Sequence, residues 1–135
     1  MATFTKFNSF VEALAEKKHD LGSDQLKVAM TNTAPVATNA VLADLTEIAY
    51  TNVSSRDVTT DTSVQTAGVY KLVCSALTLT ASGTVPTFRY IVLYNDTAAS
   101  DELVAFWDYG AAVNMLDTET FVVAFDDTDG VLTAE

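Results

Sequence analysis

The segment FRYIVLYNDTAASDELVAFWDYG, residues 88–110, decides the fold. Two aromatic-rich apolar stretches flank a short polar link, and Asp96, Asp101, Glu102 and Asp108 lie in or beside that link. Short apolar runs on either side of a polar link are typical of two strands joined as a β-hairpin. The sequence therefore predicts a hairpin here, whose acids either carry chemistry or belong to a binding surface.

Further strands are predicted on both sides of the hairpin. Residues 69–81 are long and β-branched, and their alternation loses phase at residues 75–76, where we expect a bulge. A polar segment at 56–60 is at best an edge strand. The complete set of predicted strands is 25–31, 56–60, 69–81, 87–94, 102–110, 120–126 and 130–134. Many short strands separated by turn signals predict a mainly β fold, an antiparallel, jelly-roll-like β-sandwich.

One short N-terminal α-helix precedes the strands. Its apolar face is formed by Phe7, Phe10, Val11 and Leu14. Ser9 and Glu12 fit a capping box, which would start the helix at Phe10, and Gly22 supplies a stop. Residues 33–50 form a long connection, in which Asn39 could cap a short helical turn that ends at Leu45.

The length of 135 residues suits a single domain spanning residues 1–135. A sandwich of this size needs a continuous core. The residues that we expect to be buried are Phe7, Phe10, Leu14, Leu72, Leu79, Ile91 and Leu93.

The net charge of −11 argues against two classes of partner. Binding to nucleic-acid phosphates needs clustered Lys and Arg, and an anionic membrane repels an acidic protein. The one dense basic spot, at residues 17–19, fits a solvated helix end. No apolar run is long enough to span a bilayer and no signal peptide is visible. We therefore expect no nucleic-acid partner and no membrane partner.

The sequence lacks residues that the common catalytic and metal-binding motifs require. His19 and Cys74 are the only histidine and the only cysteine. His19 falls at the end of the predicted surface helix, and the apolar flanks of Cys74 indicate a buried thiol. The acidic turn at residues 126–130 does not have the spacing of an EF-hand loop, and a surface calcium site of another kind stays open as the alternative to a plain acidic turn. We predict no catalytic, cofactor or metal site, and the protein is not expected to be an enzyme, although a small carboxylate hydrolase stays open as an alternative.

Asp108 lies between Trp107 and Tyr109, where an aromatic wall could raise the pKa of its carboxyl. The competing interpretation is that Asp108 faces solvent. Arg89 either pairs with Glu102 or Asp108 across the hairpin, or belongs to an interface.

The density of aromatic residues in the hairpin indicates an interface. In a regular strand Phe88, Tyr90, Val92 and Tyr94 share one face. That face would be covered by another subunit, most simply in a homotrimer, or by the N-terminal helix and the 33–50 connection in a monomer. The predicted interface residues are Phe88, Arg89, Tyr90, Tyr94, Trp107 and Tyr109.

The order of segments along nearly the whole chain resembles a known family. The most specific pieces are HDLGSDQLKVAMTNTAP (residues 19–35), RYIVLYNDT (89–97) and WDYG (107–110). They are similar to small structural proteins of tailed bacteriophages and prophages, some of which resemble head decoration, or cement, proteins. The resemblance implies a β-rich protein that binds and stabilises the outside of the assembled head.

The same resemblance implies a partner and a location. The partner would be the major capsid protein, the location would be the virion after synthesis in the bacterial host cytoplasm, and the assembly would be a trimer. The alternative is a tail or fibre component, with a carbohydrate- or protein-binding surface that includes Tyr94, Trp107 and Tyr109.

Overall fold

Short strands dominate the computed structural model, which describes residues 3–135. The strands are β1 Thr3–Lys6, β2 Leu26–Thr31, β3 Asp57–Val58, β4 Thr60–Thr66, β5 Val69–Cys74, β6 Leu77–Thr80, β7 Val85–Asn95, β8 Leu103–Met115, β9 Thr120–Val123 and β10 Leu132–Ala134. The helix α1 is Ser9–Ala15, and a 3-10 turn lies at Leu42–Asp44. No helix within residues 3–135 has the length and apolar character needed to cross a membrane.

The strands form antiparallel sheets in a sandwich-like arrangement. The main sheet has the order β1-β8-β7-β2-β3, and the predicted hairpin forms its centre as β7 and β8. A second sheet has the order β10-β5-β4, and β6 pairs with β9. The largest core cluster joins all three sheets, since it includes Met30 and Leu93 of the main sheet, Leu72 of β5, Leu79 of β6 and Val123 of β9. The predicted mainly β fold with antiparallel sheets and one short helix is confirmed.

The opposite face of the main sheet has its own smaller cluster. Its buried members are Phe7, Ala29, Val92, Tyr94 and Leu103. Leu42 and Leu45 of the long connection pack against this cluster from outside. The sequence analysis offers two ways to cover this face, a second subunit or the chain's own helix and long connection. The structure shows that the long connection packs against it.

The predicted core is largely correct. Six of the seven residues are buried, and Leu14 is only partly buried against the main cluster. The burial of Cys74 is also confirmed.

Helix α1 begins and ends earlier than the sequence indicates. It starts at Ser9 after Asn8, with no side-chain cap, so the predicted Ser9–Glu12 box does not set its start. It ends at Ala15 and not at Gly22. Lys17 adopts a left-handed φ of 65°, and the N–H of Lys18 donates to the carbonyl of Ala13 at 2.8 Å. This is a Schellman termination, formed here without glycine.

Three strand predictions need correction. The sequence places no strand before the helix, whereas β1 lies there and pairs with β8. Residues 69–81 are not one bulged strand, because the chain breaks at residues 75–76 and continues from β5 into β6, which belongs to a different sheet. Strand β4 was not predicted, because its sequence is polar and most of its side chains are exposed on both faces. The weak segment at 56–60 does contain an edge strand, β3.

The short helical turn in the long connection is confirmed, but its cap is wrong. The carboxylate of Asp44 accepts the N–H groups of Ala40 at 2.8 Å and Val41 at 3.2 Å. Asn39 instead accepts the N–H of Val36 at 2.9 Å, in the preceding turn. Asp44, inside the turn, therefore provides the cap that the sequence analysis assigned to Asn39.

Candidate functional site

A wide bulge interrupts β8 where it leaves the centre of the hairpin. Phe88 pairs with Val113 and Tyr90 pairs with Asp108, so two steps along β7 correspond to five steps along β8. Residues 109–112, which lie opposite Arg89 alone, are all exposed. Gly110, at φ +90°, takes a conformation that L side chains rarely adopt, which allows the strand to leave its plane there. Tyr109 thus lies within the bulge and is 54% exposed.

An ion pair fixes the base of this bulge. Arg89 donates from Nε and Nη2 to the two carboxylate oxygens of Asp108, at 2.7 and 2.9 Å. The N–H of Gly110 also donates to Asp108, at 2.7 Å. The hydrogen bond from Arg89, followed by the one from Gly110, lowers the pKa of the Asp108 carboxyl. The pairing of Arg89 with Asp108 is confirmed, and the proposed rise in the pKa of Asp108 is wrong.

The bulge also changes which hairpin residues are accessible. The register of β7 against β8 shifts on both sides of Phe88, and Phe88 lies in the same core cluster as Ile91, away from Val92 and Tyr94 on the opposite face, so the predicted shared face is wrong. Phe88 and Tyr94 are buried in the protein's own core, at 0% and 2% exposure, and offer no surface to a partner. Tyr90 is only half-buried.

The remaining predicted aromatics lie beside aromatics from distant parts of the chain. Trp107 is half-buried between Phe4 of β1 and Phe125, with ring centroids 5.5 and 5.8 Å away. Tyr109, which is 54% exposed, contacts the ring of Phe121 at 5.2 Å. All of these contacts are edge-on or T-shaped, the arrangement that aromatic pairs prefer. We call the surface formed by Phe4, Trp107, Tyr109, Phe121 and Phe125 the aromatic groove.

The aromatic groove is a chain of adjoining cavities along one side of the sandwich. A cavity of about 200 Å³ lies between Tyr109 and the segment 121–125. It shares Trp107 and Phe125 with a second cavity of about 550 Å³, which reaches Phe4. Strands β1 and β8 thus form one wall, and the chain around residues 121–133 forms the other.

Acids border the second wall. Asp126, Asp127 and Asp129 are exposed and form what we call the acidic rim. The carboxylate of Asp126 accepts the N–H groups of Asp129 at 2.7 Å and Thr128 at 2.8 Å, and these bonds lower the pKa of Asp126. Within residues 3–135 no group of three or more His, Cys, Asp or Glu side chains is placed to hold a metal ion. The bonds of Asp126 shape the turn and keep its carboxylate charged.

A glycine brings the acidic rim close to the second sheet. Gly130 has a φ of +83°, and a Cβ there would lie 2.6 Å from the carbonyl oxygen of Leu72. Any other residue here would force its own backbone or that of Leu72 to move. Lys71 donates to the carbonyl of Thr128 at 2.8 Å, which further holds the rim against β5.

His19 is buried, contrary to its predicted place on a solvated helix end. The side-chain amide of Asn95 donates to His19 Nδ1 at 3.0 Å and to the carboxylate of Asp24 at 2.6 Å. Burial lowers the pKa of His19, against the opposing effects of Glu102 and Asp24. His19 bonds to Asn95 and not to Cys74, so the imidazole ties the segment after α1 to the end of β7 and does not activate the thiol.

Sequence reasoning identified Trp107 and Tyr109 in the groove but missed Phe4, Phe121 and Phe125. Phe121 and Phe125 lie in the apolar segment 120–126, which the sequence analysis predicts as a strand without assigning it to the site. Phe4 joins the site through the pairing of β1 with β8, which no local pattern indicates. No protein-family model, no curated protein and no solved structure matches this chain.

Proposed function

We propose that this chain is a non-catalytic structural protein of a tailed-phage virion that docks on the assembled head and stabilises it. The observation that carries the proposal is the aromatic groove, in which the exposed rings of Phe4 and Tyr109 lie beside three partly buried aromatic rings. Contiguous exposed apolar surface marks interaction sites, and Trp and Tyr are enriched at interfaces. The resemblance of residues 19–35, 89–97 and 107–110 to phage decoration proteins supports the head as the partner.

The acidic charge supports the same role. A net charge of −11 keeps copies of the chain apart in solution and favours a partner surface of opposite sign. Many copies that bind only the assembled shell stabilise it by mass action. The homotrimer stays a prediction, and part of the apolar face that motivated it packs against Leu42 and Leu45 of the same chain. Light scattering tests it against the chain mass of 14.5 kDa.

Co-sedimentation tests the docking proposal. Heads purified from the phage or prophage that encodes the chain are incubated with it and pelleted, and the bound copies are counted. We expect hundreds of copies on each head, and much weaker binding by the Tyr109→Ser variant. Val36→Ser is the matched control, because Val36 is equally exposed but lies on the long connection. A chain that stays in the supernatant with saturating heads would reject the proposal.

A tail or fibre component is the second candidate. The half-exposed ring of Tyr109 beside Trp107 would suit the apolar face of a sugar as well as a protein side chain. A few copies attached to tails, together with specific binding on a glycan array, would favour this role over head decoration.

A further inference from the structure

The open side of the sandwich lies between two edge strands. β1 is the last strand of the main sheet and β10 is the last strand of the second sheet. A cavity of about 540 Å³ adjoins the aromatic groove here, lined by Phe4 and Lys6 from β1 and by Leu132 and Thr133 from β10. Within residues 3–135 the outer edges of both strands have no β partner. Free N–H and C=O groups of an edge strand are templates for pairing with another extended segment.

The surface beside this edge suits alternating side chains. Phe4 and Lys6 lie on the same face of β1, and Phe4 pairs with Trp107 of β8 on that face. A strand added to β1 would direct every second side chain toward the same side of the sheet. The 550 Å³ cavity shares lining residues with the cavity on each side of it, so the three form one depression that is longer than one side chain needs. An extended segment therefore fits this shape better than a single compact ligand.

The charge of the groove indicates which side chains that segment carries. Asp126 lines the same cavity as Trp107 and Phe125, and the rest of the acidic rim is exposed beside it. A cation placed there meets the carboxylate of Asp126 beside Trp107 and Phe125, whereas Lys6 and Lys71 line the adjoining cavity at the β1 edge, so the favourable place for a cation is at Asp126. An acidic segment would be repelled both by the rim and by the net charge of −11.

We infer that the aromatic groove binds an extended segment of a partner protein, which pairs with the free edge of β1 and carries alternating apolar side chains and an arginine or lysine beside Asp126. The inference rests on the proposed function in taking the groove as the docking surface. Under that function, the segment belongs to a capsid subunit. Main-chain pairing then supplies affinity, and the apolar and acidic parts of the groove supply specificity.

The single tryptophan of the chain allows a direct test, because Trp107 lies in the groove. The probe is a capped heptapeptide of alternating valine and arginine, titrated into the full chain while tryptophan fluorescence is followed. We expect a saturable blue shift that weakens as salt increases. Asp126→Asn should weaken binding about 2- to 5-fold, as expected for an exposed ion pair. Val36→Ser, remote from the groove, should bind like the wild type.

Two control peptides test strand pairing and charge separately. The same heptapeptide with alternate backbone nitrogens methylated should lose binding if it pairs with an edge strand. A heptapeptide of alternating valine and glutamate should not bind. Equal binding of the glutamate and arginine peptides would overturn the charge assignment, and full binding of the methylated peptide would overturn strand pairing.

The outcomes distinguish this inference from the proposed function. Chains that co-sediment with heads but show no fluorescence response to the arginine peptide would overturn the inference and leave head docking intact. A response to the peptide without co-sedimentation would support the groove and reject docking on the head. A blue shift that grows with protein concentration alone, with a trimer mass in light scattering, would assign the groove to a second copy and overturn the inference.

Discussion

Replacing Phe88 by alanine tests whether this ring is core or interface. Phe88 is fully buried, and its ring meets that of Phe121 edge-on at 5.3 Å. Truncating a buried phenylalanine costs about 3–5 kcal/mol through lost burial and the cavity left behind. With a typical total stability of about 5–15 kcal/mol, Phe88→Ala would remove a large share of it. We expect a folded but strongly destabilised protein.

Urea denaturation followed by circular dichroism measures this loss. With a urea m value of about 2 kcal/mol/M, the midpoint should fall by about 1.5–2.5 M. Phe88→Leu keeps most of the volume and should cost only about 1 kcal/mol. Tyr109→Ala removes a half-exposed ring and its contact with Phe121, and should cost only about 0.5–1.5 kcal/mol. A loss under about 1 kcal/mol for Phe88→Ala with an unchanged m value would refute the burial of Phe88.

Three further predictions concern the buried ionisable groups and the end of α1. Because burial lowers the pKa of His19 below its ordinary 6.5, the unfolded chain takes up a proton that the folded chain does not. The free energy of unfolding should therefore decrease as the pH falls below about 6.5. His19→Gln should flatten this decrease between about pH 7 and pH 5.5. If the free energy of unfolding of the two proteins changes with pH in parallel, the assignment to His19 is wrong. Lys17→Gly should stabilise the protein by about 0.5–1 kcal/mol in urea titrations, because glycine adopts the left-handed conformation at φ 65° without strain, and a destabilised variant would argue against the Schellman end. Burial raises the pKa of the Cys74 thiol to about 11, so a thiol reagent such as DTNB should label it only after denaturation; rapid labelling of the native protein would show that the thiol is accessible.

Much of the fold could be predicted because burial leaves a periodic pattern. Leu72, Leu79 and Leu93 lie in apolar alternating segments, and all three are core residues. Strand β4 could not be found in this way, because a polar strand exposed on both faces has no apolar period to detect. The face of Phe88 was wrong for a related reason: strict alternation assumes a regular ladder, and the register of β7 against β8 shifts on both sides of Phe88.

The site was predictable only in part, because it is assembled by pairing between distant segments. Trp107 and Tyr109 lie in a conspicuous aromatic cluster of the sequence. Phe4 reaches them through the register of β1 against β8, in which Phe4 opposes Trp107. His19 shows the same limit: its amide partner, Asn95, lies 76 residues away, and no local pattern signals their contact.

The pairing of β1 with β8 also has a consequence for protein synthesis. Thr3 pairs with Asp108, so the first strand leaves the ribosome about a hundred residues before its partner. At about 5–20 residues per second, Phe4 and the fully buried Phe7 wait about 5–20 s without their native neighbours. Because β1 lies at the edge of its sheet, β2, β7 and β8 can pair first and receive β1 last. The segment of β1 therefore stays exposed to aggregation until β8 has been synthesised.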